Sequence, residues 1–148
     1  MSRRKNKESA YRVLGEPFAA IPISVLESDD YWKVSPTAAR LLTCLASQFH
    51  AGNHNNGDMC AAQSIMKKYG WKDSTRKRAL KELEDADLVV KTRQGHKRRC
   101  SLYALAWLPI DECPGKQLEI GPTRKRWRDF KGERLKKRNQ EKLNSDVQ

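Results

Sequence analysis

Residues 61–86 read AAQSIMKKYGWKDSTRKRALKELEDA, and the fold turns on how this stretch divides. Ala62, Ile65, Met66 and Tyr69 recur at helical spacing, which predicts a short helix over Ala61–Tyr69, stopped by Gly70, with Lys67 and Lys68 facing outward. Trp71 and Lys72 then lead through a turn with Asp73 or Ser74 as N-cap. The next helix is expected to run to about Ala86, with Ala79, Leu80 and Leu83 inward and Thr75, Arg76, Arg78 and Lys81 outward.

Upstream, Ser35 and Pro36 supply an N-cap and a first-turn proline, followed by Ala38, Leu41, Leu42, Leu45, Ala46 and Phe49. This pattern predicts a helix over Pro36–His50. Before it, the apolar segment Phe18–Leu26 is interrupted by Pro22 and reads as an extended strip with a helical turn. Residues 51–57 are Ala, Gly, His and three Asn ending in Gly, a composition that tolerates left-handed backbone and predicts a loop, with Asp58–Cys60 as a very short strand beyond it. Downstream, Leu88–Arg93 and Cys100–Trp107 have strand composition and are joined by Gln94, Gly95, His96, Lys97 and Arg98, which reads as a hairpin ended by Pro109. The expected class is therefore mainly α with a small β-hairpin, an α+β domain over residues 18–110. A basic arm (residues 1–17) precedes it. A linker carrying Pro114, Gly115, Gly121 and Pro122 and a basic, partly helical tail follow over residues 111–148, with Trp127 and Phe130 as a thin apolar stripe.

The chain has 30 Lys and Arg against 18 Asp and Glu, a net charge of +12, and the excess is local. Residues 1–12, 72–81, 91–99 and 124–142 carry +4, +4, +5 and +7, so the remainder is net −8. Such a division favours a polyanionic partner, nucleic acid first, through release of counterions from phosphates. No apolar run approaches the roughly 18 residues of a membrane span and no leader pattern opens the chain, so a cytoplasmic location and no membrane partner are expected. Cys44, Cys60, Cys100 and Cys113 are scattered without a C-x-x-C pair, which indicates reduced thiols rather than a disulfide framework or zinc finger. His50, His54, Asp58 and Cys60 offer metal-ligand chemistry at close spacing but flank a loop of Asn and Gly, so no metal site and no cofactor is assigned. No nucleophile elbow, phosphate-binding lysine loop, paired carboxylates or H-E-x-x-H motif is present, and the chain is not read as an enzyme.

The order helix, short strand, helix, turn, helix, hairpin is that of a winged helix. The chain resembles the winged helix-turn-helix proteins of bacteriophages and other mobile elements, which include replication initiators and transcriptional regulators. The residues that carry the likeness are Ile21, Pro22, Val25 and Leu26; Val34, Ser35 and Pro36; Asn55, Asn56 and Gly57; and Gly70 and Trp71. To these are added Arg78 to Leu83, Gly95 and His96, and Tyr103 to Trp107, so that the likeness spans about residues 18–112. The pattern departs at Asp87, where the family usually has a glycine in left-handed geometry.

The resemblance implies that the helix over Ser74–Ala86 enters the major groove of double-stranded DNA. Ser74, Thr75, Arg76 and Arg78 would then face base edges, with Lys72, Lys77 and Lys81 on phosphates. The hairpin tip, with Arg93, His96, Lys97, Arg98 and Arg99, would lie along the backbone or in the adjacent minor groove. Arg3, Arg4, Lys5 and Lys7 in the arm, and Arg124, Lys125, Arg126 and Arg128 in the tail, have the composition of polyanion clamps. Two alternatives stay open: RNA binding by the Arg-rich tail with Trp127 and Phe130, and a phage-type inhibitor that grasps a host nucleoprotein. For the latter, Tyr31, Trp32 and Trp71 are candidate partner contacts, although core packing is favoured for them. A homodimer matching paired half-sites is possible, but no heptad seam or separate dimerisation helix is present to form it.

Overall fold

The structure, a computed structural model, describes residues 14–147, save the side chains of residues 51 and 134–139. It is α-rich with one two-stranded antiparallel hairpin, an α+β arrangement as expected. Pro22 opens α1 (Ile23–Leu26), its carbonyl accepting from the backbone N–H of Val25 and of Leu26. A second helix that the apolar pattern does not reveal follows, α2 (Asp29–Lys33), capped by the Ser28 hydroxyl on the Tyr31 N–H at 3.3 Å. Its only sequence signal is Ser28 followed by two aspartates, which suit the first turn of a helix.

Helix α3 (Pro36–Ser47) begins as expected, the Ser35 hydroxyl accepting from the Ala38 N–H at 3.1 Å. Its buried face is Ala38, Leu41, Leu42, Leu45 and Ala46. It stops three residues short of His50, with Gln48 as its C-cap. The Gln48 side-chain amide donates to the Cys60 carbonyl and accepts from the Cys60 N–H, both at 2.8 Å, standing in for a neighbouring strand.

The helix expected over Ala61–Tyr69 is shorter: α4 is Gln63–Met66, continued by a 3₁₀ turn, Lys67–Tyr69, that ends at Gly70 with φ +83°. Met66 is buried, but Ile65 (39 % exposed) and Tyr69 (64 % exposed) are not inward as periodicity implied, because a regular α period does not persist across the segment. Helix α5 (Asp73–Asp85) buries Ala79, Leu80 and Leu83 as expected. Its start is corrected by one residue: Lys72 is the cap position and Asp73 the first helical residue. Asp87 after α5 has φ +53°, and the N–H of Leu88 reaches the Leu83 carbonyl at 3.1 Å. This is the helix-ending bond that glycine usually serves. Glu82 ties α5 to α3, accepting from the Ser35 N–H (3.0 Å) and hydroxyl (2.8 Å).

Strands β1 (Val89–Arg93) and β2 (Leu102–Leu105) pair with Val89 opposite Leu105 and Arg93 opposite Leu102. Both are shorter than expected. The register breaks between Lys91 and Arg93, where the buried Thr92 hydroxyl donates to the Gly57 carbonyl at 2.7 Å. The expected strand at Asp58–Cys60 reduces to Met59, which exchanges both backbone hydrogen bonds with Tyr103. Leu41, Leu42, Leu45, Met59, Met66, Leu83, Leu88 and Leu105 form the centre of the core.

Asn56 is fully buried and joins three parts of the chain. Its Nδ2 donates to the Leu105 and Pro109 carbonyls (3.2 and 2.8 Å), and its Oδ1 accepts from the Leu105 N–H (2.8 Å). Its backbone exchanges two bonds with Asp111, one through the carboxylate and one through the N–H. Beside it Gly57 is at φ +136°, a backbone that L side chains rarely adopt, and a Cβ there would lie tightly at 3.0 Å from the Leu118 side chain and 3.4 Å from the Cys113 sulfur.

Those neighbours belong to the segment read as a linker. Residues 111–130 are instead sewn to the core: the N–H groups of Glu119, Thr123 and Arg128 reach the carbonyls of Thr92, Ile110 and Ala106, and Cys113 and Phe130 are buried. The packed unit therefore continues past residue 110. Helix α6 (Phe130–Asp146) starts from this anchor, capped by the Asp129 carboxylate on the Gly132 N–H. The tail keeps its solvated, charged character at Arg124, Lys125 and Arg126 and, among the described side chains, at residues 131 and 140–146.

Replacing Asn56 with Ala leaves the Leu105 N–H and the Pro109 carbonyl without these partners, and the Leu105 carbonyl with only the 3.4 Å bond from the Leu108 N–H, and is expected to cost about 3 kcal/mol in urea denaturation. Ending the chain after Asp111 removes Phe130 as well as the tail, and circular dichroism melts should show a loss of about 3 kcal/mol or more. A truncated chain as stable as the full one would show that residues 112–148 are not part of the fold.

Candidate nucleic-acid interface

The basic residues expected at the interface fall into two groups by what their side chains touch. On α5, Lys72, Ser74, Thr75, Lys77, Arg78 and Lys81 are exposed. Lys77 and Lys81 make surface pairs with Asp73 (3.0 Å) and Asp85 (3.1 Å), one helical turn away. Pairs of this kind are worth only a few tenths of a kcal/mol and yield readily to a phosphate. The carboxyl of Asp73 is held below its ordinary range by the Arg76 and Lys77 cations beside it. Lys72 and Arg78 have no carboxylate partner among the described residues.

Arg76 is different, and its expected place on the outer face is corrected. Its side chain is only 13 % exposed and reaches back across the turn. Nε donates to Gln63 Oε1 (3.2 Å), one terminal nitrogen to the Ala61 carbonyl (3.1 Å) and the other to Asp73 (2.6 Å). Gln63 completes the tie by donating to the Trp71 carbonyl at 2.8 Å. Arg76 thus fixes the angle between α4 and α5, which lies on the folding rather than the recognition side of the argument.

The hairpin separates in the same way. His96, Lys97 and Arg98 are exposed at the tip, which is closed by reciprocal backbone bonds between His96 and Arg99. Gly95 is required there, since a Cβ would lie 2.5 Å from the Ser101 N. Arg93, expected among the tip contacts, is buried and donates to the Lys116 and Cys100 carbonyls at 2.9 and 2.8 Å. Arg99 is half-buried and turned to Gln117 at 2.7 Å. The hairpin's base is tied to α5 by Lys91 and Glu84 at 3.7 Å.

In the tail, Arg124, Lys125 and Arg126 are exposed beside a half-exposed Trp127. Arg128, expected as a tail contact, is 15 % exposed and is consumed within the fold. It pairs with Asp30 and Glu133, donates to the Ala86 carbonyl at 2.9 Å, and lies 4.2 Å from the centroid of Phe130. The carboxylates of Glu133 and Asp30 raise its already high pKa. Arg3, Arg4, Lys5 and Lys7 lie outside the described residues.

Three of the four thiols are held in the protonated form. Burial pushes Cys60, which is hydrogen-bonded to Cys100, and Cys113 up to about 11, and raises Cys44 as well. All three are protonated at neutral pH, where only a thiolate would act as nucleophile or ligand. Among the described residues no three His, Cys, Asp or Glu side chains gather to hold a metal ion, and no helix is long and apolar enough to cross a membrane. Comparison with known protein families, curated proteins and solved structures finds no match to this chain.

Sequence reasoning passed over Arg40, which α3 exposes near the turn into α5. It stands alone between Ala39 and Leu41, so no charge run drew attention to it.

Because Arg76 anchors the turn, Arg76→Ala should lower stability by about 2–3 kcal/mol, whereas Arg78→Ala should stay within about 0.5 kcal/mol in the same thermal melts. Equal melting behaviour of the two variants would contradict the division between anchoring and exposed arginines.

Proposed function

We propose that the protein binds double-stranded DNA through a winged helix-turn-helix, with α3, α4 and α5 as the three helices, Met59 as the residual first strand, and the β1–β2 hairpin as the wing. The observation that carries the reading is that several exposed cations at the start of α5 and at the hairpin tip are free of internal work while the helix beneath them is locked. Lys72, Arg78, Lys97 and Arg98 have no carboxylate partner among the described residues, and Arg76, Glu82 and Lys91 hold α5 to α4, α3 and β1. A helix held rigidly by its neighbours, with polar side chains not committed to internal partners, suits base reading in the major groove.

In this reading Ser74, Thr75 and Arg78 face base edges, Arg78 being suited to a bidentate contact with guanine. Lys72, Lys77 and Lys81 hold phosphates, and His96, Lys97 and Arg98 follow the backbone or the minor groove. Arg76, Arg93 and Arg128 support the scaffold instead. The biological role that fits such a domain is a sequence-specific regulator or replication accessory protein of a phage or mobile element, acting in the cytoplasm as a monomer or a homodimer. A second reading, RNA binding, is favoured by one observation, the exposed run Arg124–Trp127 with its aromatic ring accessible to a base.

Selection of bound duplexes from a random library at about 150 mM salt should enrich a motif, and Thr75→Ala with Arg78→Ala should weaken the selected site by about 10–100-fold. Lys97→Ala with Arg98→Ala should weaken all duplexes alike and flatten the salt dependence. Retained binding by these variants, abolished instead by Arg126→Ala with Trp127→Ala and strongest for RNA, would replace the duplex reading with the second one.

A further inference from the structure

We propose that the groove between the start of α3 and the turn into α5 is a nucleotide-binding site, taking a base on Tyr69 and Trp71 and its phosphate on Arg40 and Lys72. The groove has a volume of about 770 Å³, within the rough range of 300–1,000 Å³ for small-molecule sites. Thr37 and Arg40 line one side and Tyr69, Trp71, Lys72 and Thr75 the other, so two cations face it and no carboxylate does. Among the described residues neither Arg40 nor Lys72 has an ion-pair partner. An anion entering the groove therefore displaces no internal pair and meets no like charge.

The aromatic residues give the site its second half. Tyr69 is 64 % exposed, with the Lys68 ammonium 4.9 Å from its ring centroid, an arrangement that leaves most of the ring accessible. Trp71 is half-buried against the core and its carbonyl is held by Gln63, so it forms a fixed wall. A Cβ on Gly70 would meet nothing within 4 Å, so the turn joining the two rings has open space beside it. Aromatic faces beside unpaired cations are the chemistry on which single nucleotides stack, whereas a bare phosphate would leave the rings unused. The hydroxyls of Thr37 and Thr75 add neutral donors and acceptors suited to a sugar or a base edge. The assignment does not depend on the duplex reading, and Arg40 and Tyr69 have no part in that reading.

The nucleotide can be free or an unpaired residue of a single strand. Isothermal titration of the full chain with adenosine triphosphate and with a short oligothymidylate separates the two, with Arg40→Gln and Tyr69→Leu as site variants and the exposed Lys131→Gln as a charge control. Both site residues are exposed, and thermal melts check that the variants fold. We expect at least one probe to bind, each site variant to weaken it about tenfold, and Lys131→Gln to leave it unchanged. Binding of the triphosphate identifies a free ligand; binding of the oligonucleotide alone identifies a single strand. The proposal is overturned if neither probe binds, if Lys131→Gln weakens binding as much as Arg40→Gln, or if inorganic phosphate competes as well as the nucleotide. Lys72 and Thr75 serve both readings, but Arg40 and Tyr69 serve only this one, so the two are told apart by whether Arg40→Gln and Tyr69→Leu lose the nucleotide while keeping the selected duplex.

Discussion

The buried amide of Asn56 is the constraint on which the arrangement depends. A loop of Asn and Gly enters the core at this point, and its polar backbone has to be satisfied away from water. Asn56 meets that demand in both directions, using its side chain on Leu105 and Pro109 and its backbone on Asp111. The end of the hairpin, the loop after α3 and the start of the C-terminal segment are thereby held to one residue. With the hairpin so placed, Met59 can pair with Tyr103, Thr92 can reach Gly57, and α5 can lie against β1.

A second regularity concerns arginine. Arg76, Arg93 and Arg128 each sit in a segment that composition marks as basic, yet each is turned inward onto main-chain carbonyls where elements meet. The guanidinium suits this role because its fixed fork of donors bridges several acceptors at once and remains charged at any relevant pH. Lys72, Lys77, Lys81, Lys97 and Lys125 in the same segments stay outside, as expected of a compact, strongly hydrated charge on a flexible stem. A charge count along the chain therefore overstates the exposed basic surface, which is the smaller set of cations that carries no structural duty.

The C-terminal segment follows the same logic. Without it the core would lack Phe130, and Ala106 would lose its bond to Arg128. Arg128 reaches Asp30 in α2 across most of the sequence, so the N-terminal helices and the C-terminal segment close the domain together. An apolar stripe too thin to fold alone is enough when it docks onto a core that already exists.

By itself the sequence determined the helices α3 and α5, their buried faces and caps to within a residue or two, the hairpin, and the four basic segments. These features rest on local rules: the 3.6-residue period, a Ser-Pro start, strand composition around Gly95. At Asp87 the sequence showed only a departure from the glycine of the resembling family, and the structure places that aspartate at φ +53°. Only the tertiary structure decided which cations are free. It also decided that the Gln48 side chain bonds the Cys60 backbone, that Tyr69 faces solvent, that residues 111–130 join the core, and that Arg40 faces Tyr69 and Trp71 across a groove. Each of these depends on partners distant in the chain, and neither periodicity nor composition encodes what a side chain will find when distant segments are brought together.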